Sequence, residues 1–174
     1  STTGRSGHHV TAGGRRGRAC ETGPVTAYDN DPAVIRAALQ GPGTWAVVGL
    51  SDHRGRTAYA IAAFLRDRLG KRVLPVHPRA PFDPPVLGET GYAALAEIPD
   101  GTVVDVVDCF VNSQLVGPVV DEAIAQRERL GIGTLWLQLG VIDEAAARRA
   151  RAAGLEVVMD TCPKIEWPRI SAHR

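Results

Sequence analysis

The sequence predicts an α/β domain in three layers, built on a five-stranded, parallel, doubly wound sheet. Three observations point there. Short apolar runs alternate with segments of helical period from about residue 31 to residue 159. The run at 103–107, Val-Val-Asp-Val-Val, is nearly all apolar, as expected of a parallel strand buried on both faces. Finally, Thr44-Trp45-Ala46-Val47-Val48-Gly49-Leu50-Ser51 carries a strand into a glycine turn, and a helix starts near Arg56. Doubly wound domains make phosphate sites from that arrangement.

Each element has its own local reason. Asp31 and Pro32 supply the N-cap and first position of a helix over 33–40, which Gly41-Pro42 stops. Residues 45–50 read as the first strand. Residues 56–69 read as a helix with Ile61, Leu65 and Leu69 on one face and Gly70 as its C′ residue. A second strand covers 72–76, followed by a proline-rich loop over 78–85 and a brief helical turn around 92–96. The third strand is 103–107. Ser113 is expected to cap a helix running to about Leu130, with Val116, Val120, Ala123 and Ile124 toward the sheet. A fourth strand covers 134–139. Asp143 caps an Ala/Arg helix that ends at Gly154, and 155–159 is the fifth strand. Alternating strands and helices imply right-handed crossovers and a Rossmann-like architecture without internal repeats.

The chain of 174 residues is long enough for one domain with a sizeable core and too short for two ordinary ones. Its apolar runs are only strand-length, so no transmembrane helix is expected, and no signal-peptide core stands near its start, so a cytoplasmic location is expected. Residues 1–23 are rich in Gly and Arg and lack apolar periodicity. They read as a disordered tail or a start artefact, leaving 24–174 as a single domain. The functional alternative for this segment is a small RNA-binding arm, suggested by Gly13-Gly14-Arg15-Arg16-Gly17-Arg18.

Four Arg and one Glu fall in that segment. The remainder, with 16 basic and 18 acidic residues, is near neutral and shows no electrostatic footprint for nucleic acid. Three cysteines, Cys20, Cys109 and Cys162, argue against a disulfide framework and have the wrong spacing for zinc.

In an open parallel sheet, ligands bind outside the carboxyl ends of the strands. The first turn lacks further glycines after Gly49-Leu50. Ser51, Arg54 and Arg56 stand there instead, which suits a phosphorylated ligand held partly by side chains. Ser51 either bonds a phosphate oxygen or only shapes the turn. Tyr59 either meets the ligand or covers the sheet edge. The second strand ends in His77-Pro78-Arg79, where a plain NAD site would carry an acidic residue. A guanidinium suits a ribose phosphate, which leaves NADP or coenzyme A (CoA) as ligands, against the alternative that Arg79 is a solvated loop charge. The third strand ends in Asp108-Cys109-Phe110, and Phe110 is either a wall for an adenine or an ordinary core aromatic. The fourth and fifth ends supply Gln138-Leu139-Gly140 and Asp160-Thr161-Cys162-Pro163-Lys164. No Ser–His–Asp, Cys–His or metal constellation emerges, so the chain reads as a binder more than a catalyst.

Taken together, five segments resemble the small bacterial CoA-binding domain proteins. They are Ala46-Val47-Val48-Gly49-Leu50-Ser51, Val73-Leu74-Pro75-Val76-His77-Pro78-Arg79, Val106-Val107-Asp108-Cys109-Phe110, Trp136-Leu137-Gln138-Leu139-Gly140-Val141, and Met159-Asp160-Thr161-Cys162-Pro163-Lys164-Ile165-Glu166. The resemblance implies a fold related to the CoA-binding domain of succinyl-CoA synthetase-type ligases. It also implies non-catalytic binding of CoA or an acyl-CoA. The turn from Gly49 to Arg56 would hold the pyrophosphate, His77-Pro78-Arg79 the phosphorylated ribose and Cys109-Phe110 the adenine. Gln138, Leu139 and Gly140 would follow the rest of the ligand. The chain departs from the family at His77, where Asn is usual, and at Val111, where a basic residue is usual. Two further readings stand beside it: an NADP-dependent oxidoreductase, and a module that docks on a larger acyl-CoA ligase or acyltransferase, or on a second copy of itself.

Overall fold

A computed structural model describes residues 29–172. The reading of residues 1–23 as a tail, and with it Cys20, lies outside the described residues, as does His173. Asp31 accepts a hydrogen bond from the Ala33 N–H at 2.8 Å and Pro32 occupies the first turn, so helix α1 spans Pro32–Gln40. Strand β1 is Thr44–Val48 and helix α2 is Thr57–Asp67. Strand β2 is Arg72–Val76, β3 is Val106–Cys109 and helix α3 is Val116–Leu130. Strand β4 (Thr134–Leu137), helix α4 (Glu144–Ala152), strand β5 (Glu156–Val158) and helix α5 (Pro163–Ser171) complete the fold.

All five strands are parallel and lie in the order β2-β1-β3-β4-β5. The alternating pleat sends Trp45, Val47, Val106, Trp136 and Val158 to one face, where α1, α2 and α5 cover them through Leu39, Ile61, Leu65 and Ile170. Ala46, Leu74, Val107, Leu135 and Val157 face the other side, beneath Val116, Val120 and Ala123 of α3 and three alanines of α4. This is the three-layer, doubly wound sheet that the sequence predicts. On the first face the Trp45 and Trp136 rings meet with centroids 5.5 Å apart, and the Trp136 indole N–H donates to the Thr161 carbonyl at 3.0 Å. A buried indole needs such an acceptor.

At the free edge of β5, the side-chain amide of Asn30 pairs with both backbone groups of Met159. Its Nδ2 donates to the Met159 carbonyl at 2.8 Å, and its Oδ1 accepts from the Met159 N–H at 2.9 Å. No helix of the described residues is long and apolar enough to cross a membrane.

The structure corrects several boundaries. The third strand begins at Val106 rather than Val103. Val103 is 60% exposed, and the Asp105 carboxylate is turned to accept the Thr44 N–H at 2.8 Å, so the sheet ladder starts only after it. Ser113 does not cap α3. Its hydroxyl donates to the Gly140 carbonyl and accepts from the Ile142 N–H, both at 3.0 Å, tying the loop after β3 to the loop after β4. The helical turn expected at 92–96 is a 3-10 turn at Leu95–Glu97, because Tyr92 instead bridges Val76 of β2. Strand β4 stops at Leu137 because residues 138–141 close a turn, with Gly140 at φ +81°. Helix α5 was not anticipated. It starts on Pro163 at its first turn and passes through Pro168.

Candidate functional site

The strand order reverses at β1, which has β2 on one side and β3 on the other. Loops diverge from such a point, and here they leave a cleft of about 650 Å³ at the carboxyl edge. Gly49 makes its floor. The residue sits at φ +100°, and a Cβ there would collide with the Phe110 carbonyl oxygen, so only glycine lets the two loops approach. The Gly49 N–H donates to the Val76 carbonyl at 2.9 Å, and the Phe110 N–H donates to the Val48 carbonyl at 2.8 Å.

Ser51 is buried in the next turn. Its Oγ accepts from the His53 N–H at 3.2 Å, which leaves the hydroxyl hydrogen free for another partner. The N-cap of α2 is Arg56, and no side chain caps that helix end. Thr57 and Ala58, its first two residues, line the cleft beside His53 and Arg56. Their N–H groups precede the first intrahelical donors and carry the positive end of the helix dipole.

His77, Pro78 and Arg79 form the neighbouring wall. The Arg79 N–H donates to His77 Nδ1 at 3.1 Å, so a neutral ring carries its hydrogen on Nε2. Burial, and then the Arg79 charge, hold the His77 pKa below its usual value, against the opposing pull of Asp52. The Arg79 guanidinium pairs with Asp52 at 3.0 Å, with both side chains more than half exposed, and lies 5.9 Å from the Phe82 ring. Phe110 and Val111 follow from the end of β3. Ala93, Ala94, and Val119 and Glu122 of α3 complete the cleft.

Of the residues proposed from sequence, Gly49, Ser51, Arg56, His77, Pro78, Arg79, Phe110 and Val111 are brought together there. Seven others are not. Leu50 is wholly buried in the core under α2. Arg54 leans over the Tyr59 ring at 5.7 Å, and Tyr59 packs against the same core. Cys109 is wholly buried on the opposite face, where burial and then neighbouring Asp108 push its thiol pKa up. Gln138 turns inward, its Nε2 donating to Asp108 Oδ1 at 2.5 Å. Leu139 is 62% exposed at a loop tip, and the Gly140 N–H donates to the Asp160 carboxylate at 2.8 Å. The Asp108 carboxyl is fully buried, its Oδ2 has no partner, and burial pushes its pKa up to about 8.

Sequence reasoning missed His53, Thr57, Ala58, Ala93, Ala94, Val119 and Glu122. The helix start already identified near Arg56 could have located Thr57 and Ala58. Glu122 stands one turn beyond Val119, on the edge of the apolar face of α3, where an acidic residue has no local signature.

Comparison with known proteins bears on the family and the fold. A family model described as a CoA binding domain matches residues 43–168. The chain is 32% identical over 133 residues to the uncharacterized protein YneT of Bacillus subtilis (strain 168), covering 76% of this chain and 91% of that one. It is similar to the structure of a hypothetical protein from Pyrococcus horikoshii OT3, with TM-score 0.72 and 30% identity, over 87% of this chain and 98% of that one. A more distant likeness, of fold alone, is to the apo form of a dinucleotide forming acetyl-coenzyme A synthetase 1 from Ca. Korarchaeum cryptofilum. The TM-score is 0.55 and the identity 23%, over 71% of this chain and 27% of that one.

Proposed function

The chain belongs to the CoA binding domain family, and on that premise we propose that its cleft at the carboxyl ends of β1, β2 and β3 binds coenzyme A or an acyl-CoA without transforming it. The observation that carries this reading is the uncapped N-terminus of α2 opening into a cleft that also holds Arg56, His77 and Arg79. Free N–H groups and a helix dipole favour a phosphate there, so the pyrophosphate sits against Thr57 and Ala58, with the Ser51 hydroxyl as a further donor. Arg79 and His77 then face the ribose phosphate. The Asp52–Arg79 pair does not forbid this. An exposed ion pair is worth only about 0–1 kcal/mol, and a phosphate dianion offers the guanidinium a stronger, bidentate partner. Family membership gives the NADP reading no support.

Calorimetry with CoA and dephospho-CoA tests the assignment. The ribose phosphate contact should favour CoA by about ten- to a hundredfold. Equal affinities would remove Arg79 and His77 from the site, and binding of NADP without CoA would restore the oxidoreductase alternative. A role as a docking module on a larger CoA enzyme, or on a second copy, is favoured by Leu115 and Leu139. Both are more than half exposed, on loops tied together by the Ser113–Gly140 bond. Light scattering of the protein with and without CoA, repeated on Leu115→Ser/Leu139→Ser, tests self-association through that patch. A monomer in all four samples excludes the second copy.

A further inference from the structure

Among the residues that line the cleft, His77 is held by a contact that depends on its own protonation state. Its Nδ1 accepts from the Arg79 N–H at 3.1 Å. The main chain of the same turn is tied as well. The His77 N–H donates to the Tyr92 carbonyl at 3.0 Å, and the Ala80 N–H donates to the His77 carbonyl at 2.9 Å. The ring stands beside Phe82, with centroids 6.0 Å apart. A proton added to Nδ1 would therefore meet the Arg79 N–H, donor against donor. The charged and titratable groups around the ring are Arg79 on its own loop, Asp52, His53 and Arg56 from the segment after β1, and Glu122 of α3, which lines the same cleft. Burial first, and then the Arg79 charge, disfavour the protonated ring, while Asp52 favours it.

We propose that His77 couples phosphate binding in this cleft to the uptake of a proton, so that ligand affinity rises as pH falls. The inference rests on the coenzyme reading above and adds to it a regulation by pH. An anionic oxygen seated at the turn accepts from both the protonated Nδ1 and the Arg79 N–H, the two donors that otherwise oppose each other. It also offsets the Arg79 charge. The bound anion thus raises the pKa of the ring above its value in the free protein. Between those two values the complex carries a proton that the free protein lacks, and affinity rises by up to about tenfold for each pH unit of acidification. Above the higher value the ring is neutral in both forms, and below the lower value it is charged in both. The dependence ends at each limit.

His77→Asn separates this ring from the other titrating groups. The asparagine Oδ1 can accept the same N–H two residues on, but it takes up no proton. Calorimetry of CoA binding near the ordinary histidine pKa of about 6.5, in buffers of different ionisation enthalpy, counts the protons taken up. The ligand phosphate, His53 and Glu122 contribute to both proteins and cancel in the difference. Wild type should take up more protons per CoA than the variant. The ratio of its affinity to that of the variant should grow by up to about tenfold per unit as pH is lowered from about 8 to about 6. NMR of wild type alone gives a second measure: the assigned His77 ring should titrate at a higher pH with CoA bound than without, and an unchanged titration overturns the inference. If CoA binds and both proteins take up equal numbers of protons, with an affinity ratio constant in pH, the inference falls while the coenzyme reading stands. If wild type binds no CoA anywhere in this range, the coenzyme reading falls and takes this one with it.

Discussion

Asp108→Asn should remove much of the protein's sensitivity to rising pH. Asp108 lies at the centre of the sheet, fully buried, with one oxygen accepting from Gln138 and the other without a partner. Burial pushes its pKa up to about 8, and the Gln138 bond opposes this only in part. In the unfolded chain the same group titrates near the ordinary aspartate value of about 3.9. Between those two values the folded protein holds a proton that the unfolded chain has released, so stability falls as pH rises through the window. Below the lower value both states are protonated and nothing is lost; above the higher value the loss is complete. Each pH unit inside the window corresponds to about 1.4 kcal/mol. Between about pH 5 and pH 8 this one carboxyl should therefore cost the wild type on the order of 2–4 kcal/mol, after local relaxation.

Asparagine keeps the oxygen that Gln138 needs and cannot ionise. Urea unfolding followed by circular dichroism at several pH values, on both proteins, measures the difference directly. Other titrating groups, His77 among them, contribute equally to both curves and cancel in the comparison. The difference should grow in favour of the variant as pH rises. Two curves that stay parallel across the window would refute the reasoning.

Three further outcomes follow from the same geometry. Gly49→Ala should destabilise the fold by about 2–4 kcal/mol in urea unfolding, because the new methyl meets the Phe110 carbonyl at a positive φ. Asp52→Asn should free Arg79 from an exposed pair, leave stability within about 0.5 kcal/mol, and raise CoA affinity by a few-fold at low salt, an advantage that shrinks at high salt in calorimetry. Cys109 should resist oxidised CoA and thiol reagents until the protein unfolds, since it is wholly buried with its thiol pKa pushed up. Peptide mapping of labelled native protein checks this, and an adduct at Cys109 would contradict it.

The parts of the fold written in local chemistry were legible from the sequence. Strand β2 falls at its predicted residues because Gly70 and His77-Pro78 bound its run, and the Asp31 and Asp143 caps were identified from residue type. The start of β3 was not legible, because five residues of which four are valine carry no mark of where the ladder begins. That point is set by Asp105 reaching Thr44, 61 residues away. Ser113 looked like a cap but serves two loops at once. Helix α5 was not anticipated, although the first of its two prolines occupies a position where no N–H is needed. The candidate site divides the same way. Its β1, β2 and β3 ends follow from topology, whereas Ala93, Ala94, Val119 and Glu122 come from a loop and a mid-helix position that only packing brings together. The same topology gave equal weight to the ends of β4 and β5, which the structure uses for closure. Gln138 serves Asp108, and Gly140 serves Asp160.

The Asn30 amide at the end of β5 has a bearing on how this edge of the sheet meets other strands. An unpaired strand edge is a template for any other strand, and among the described residues β5 is the last strand on its side of the sheet. By offering one acceptor and one donor to Met159, just past the end of β5, Asn30 occupies its two backbone groups as a residue of a neighbouring strand would. That seal joins residues 129 positions apart, so making it carries the loop-closure entropy of the chain between them. Without that amide, the Met159 N–H and carbonyl would be offered to any other strand that approached the edge.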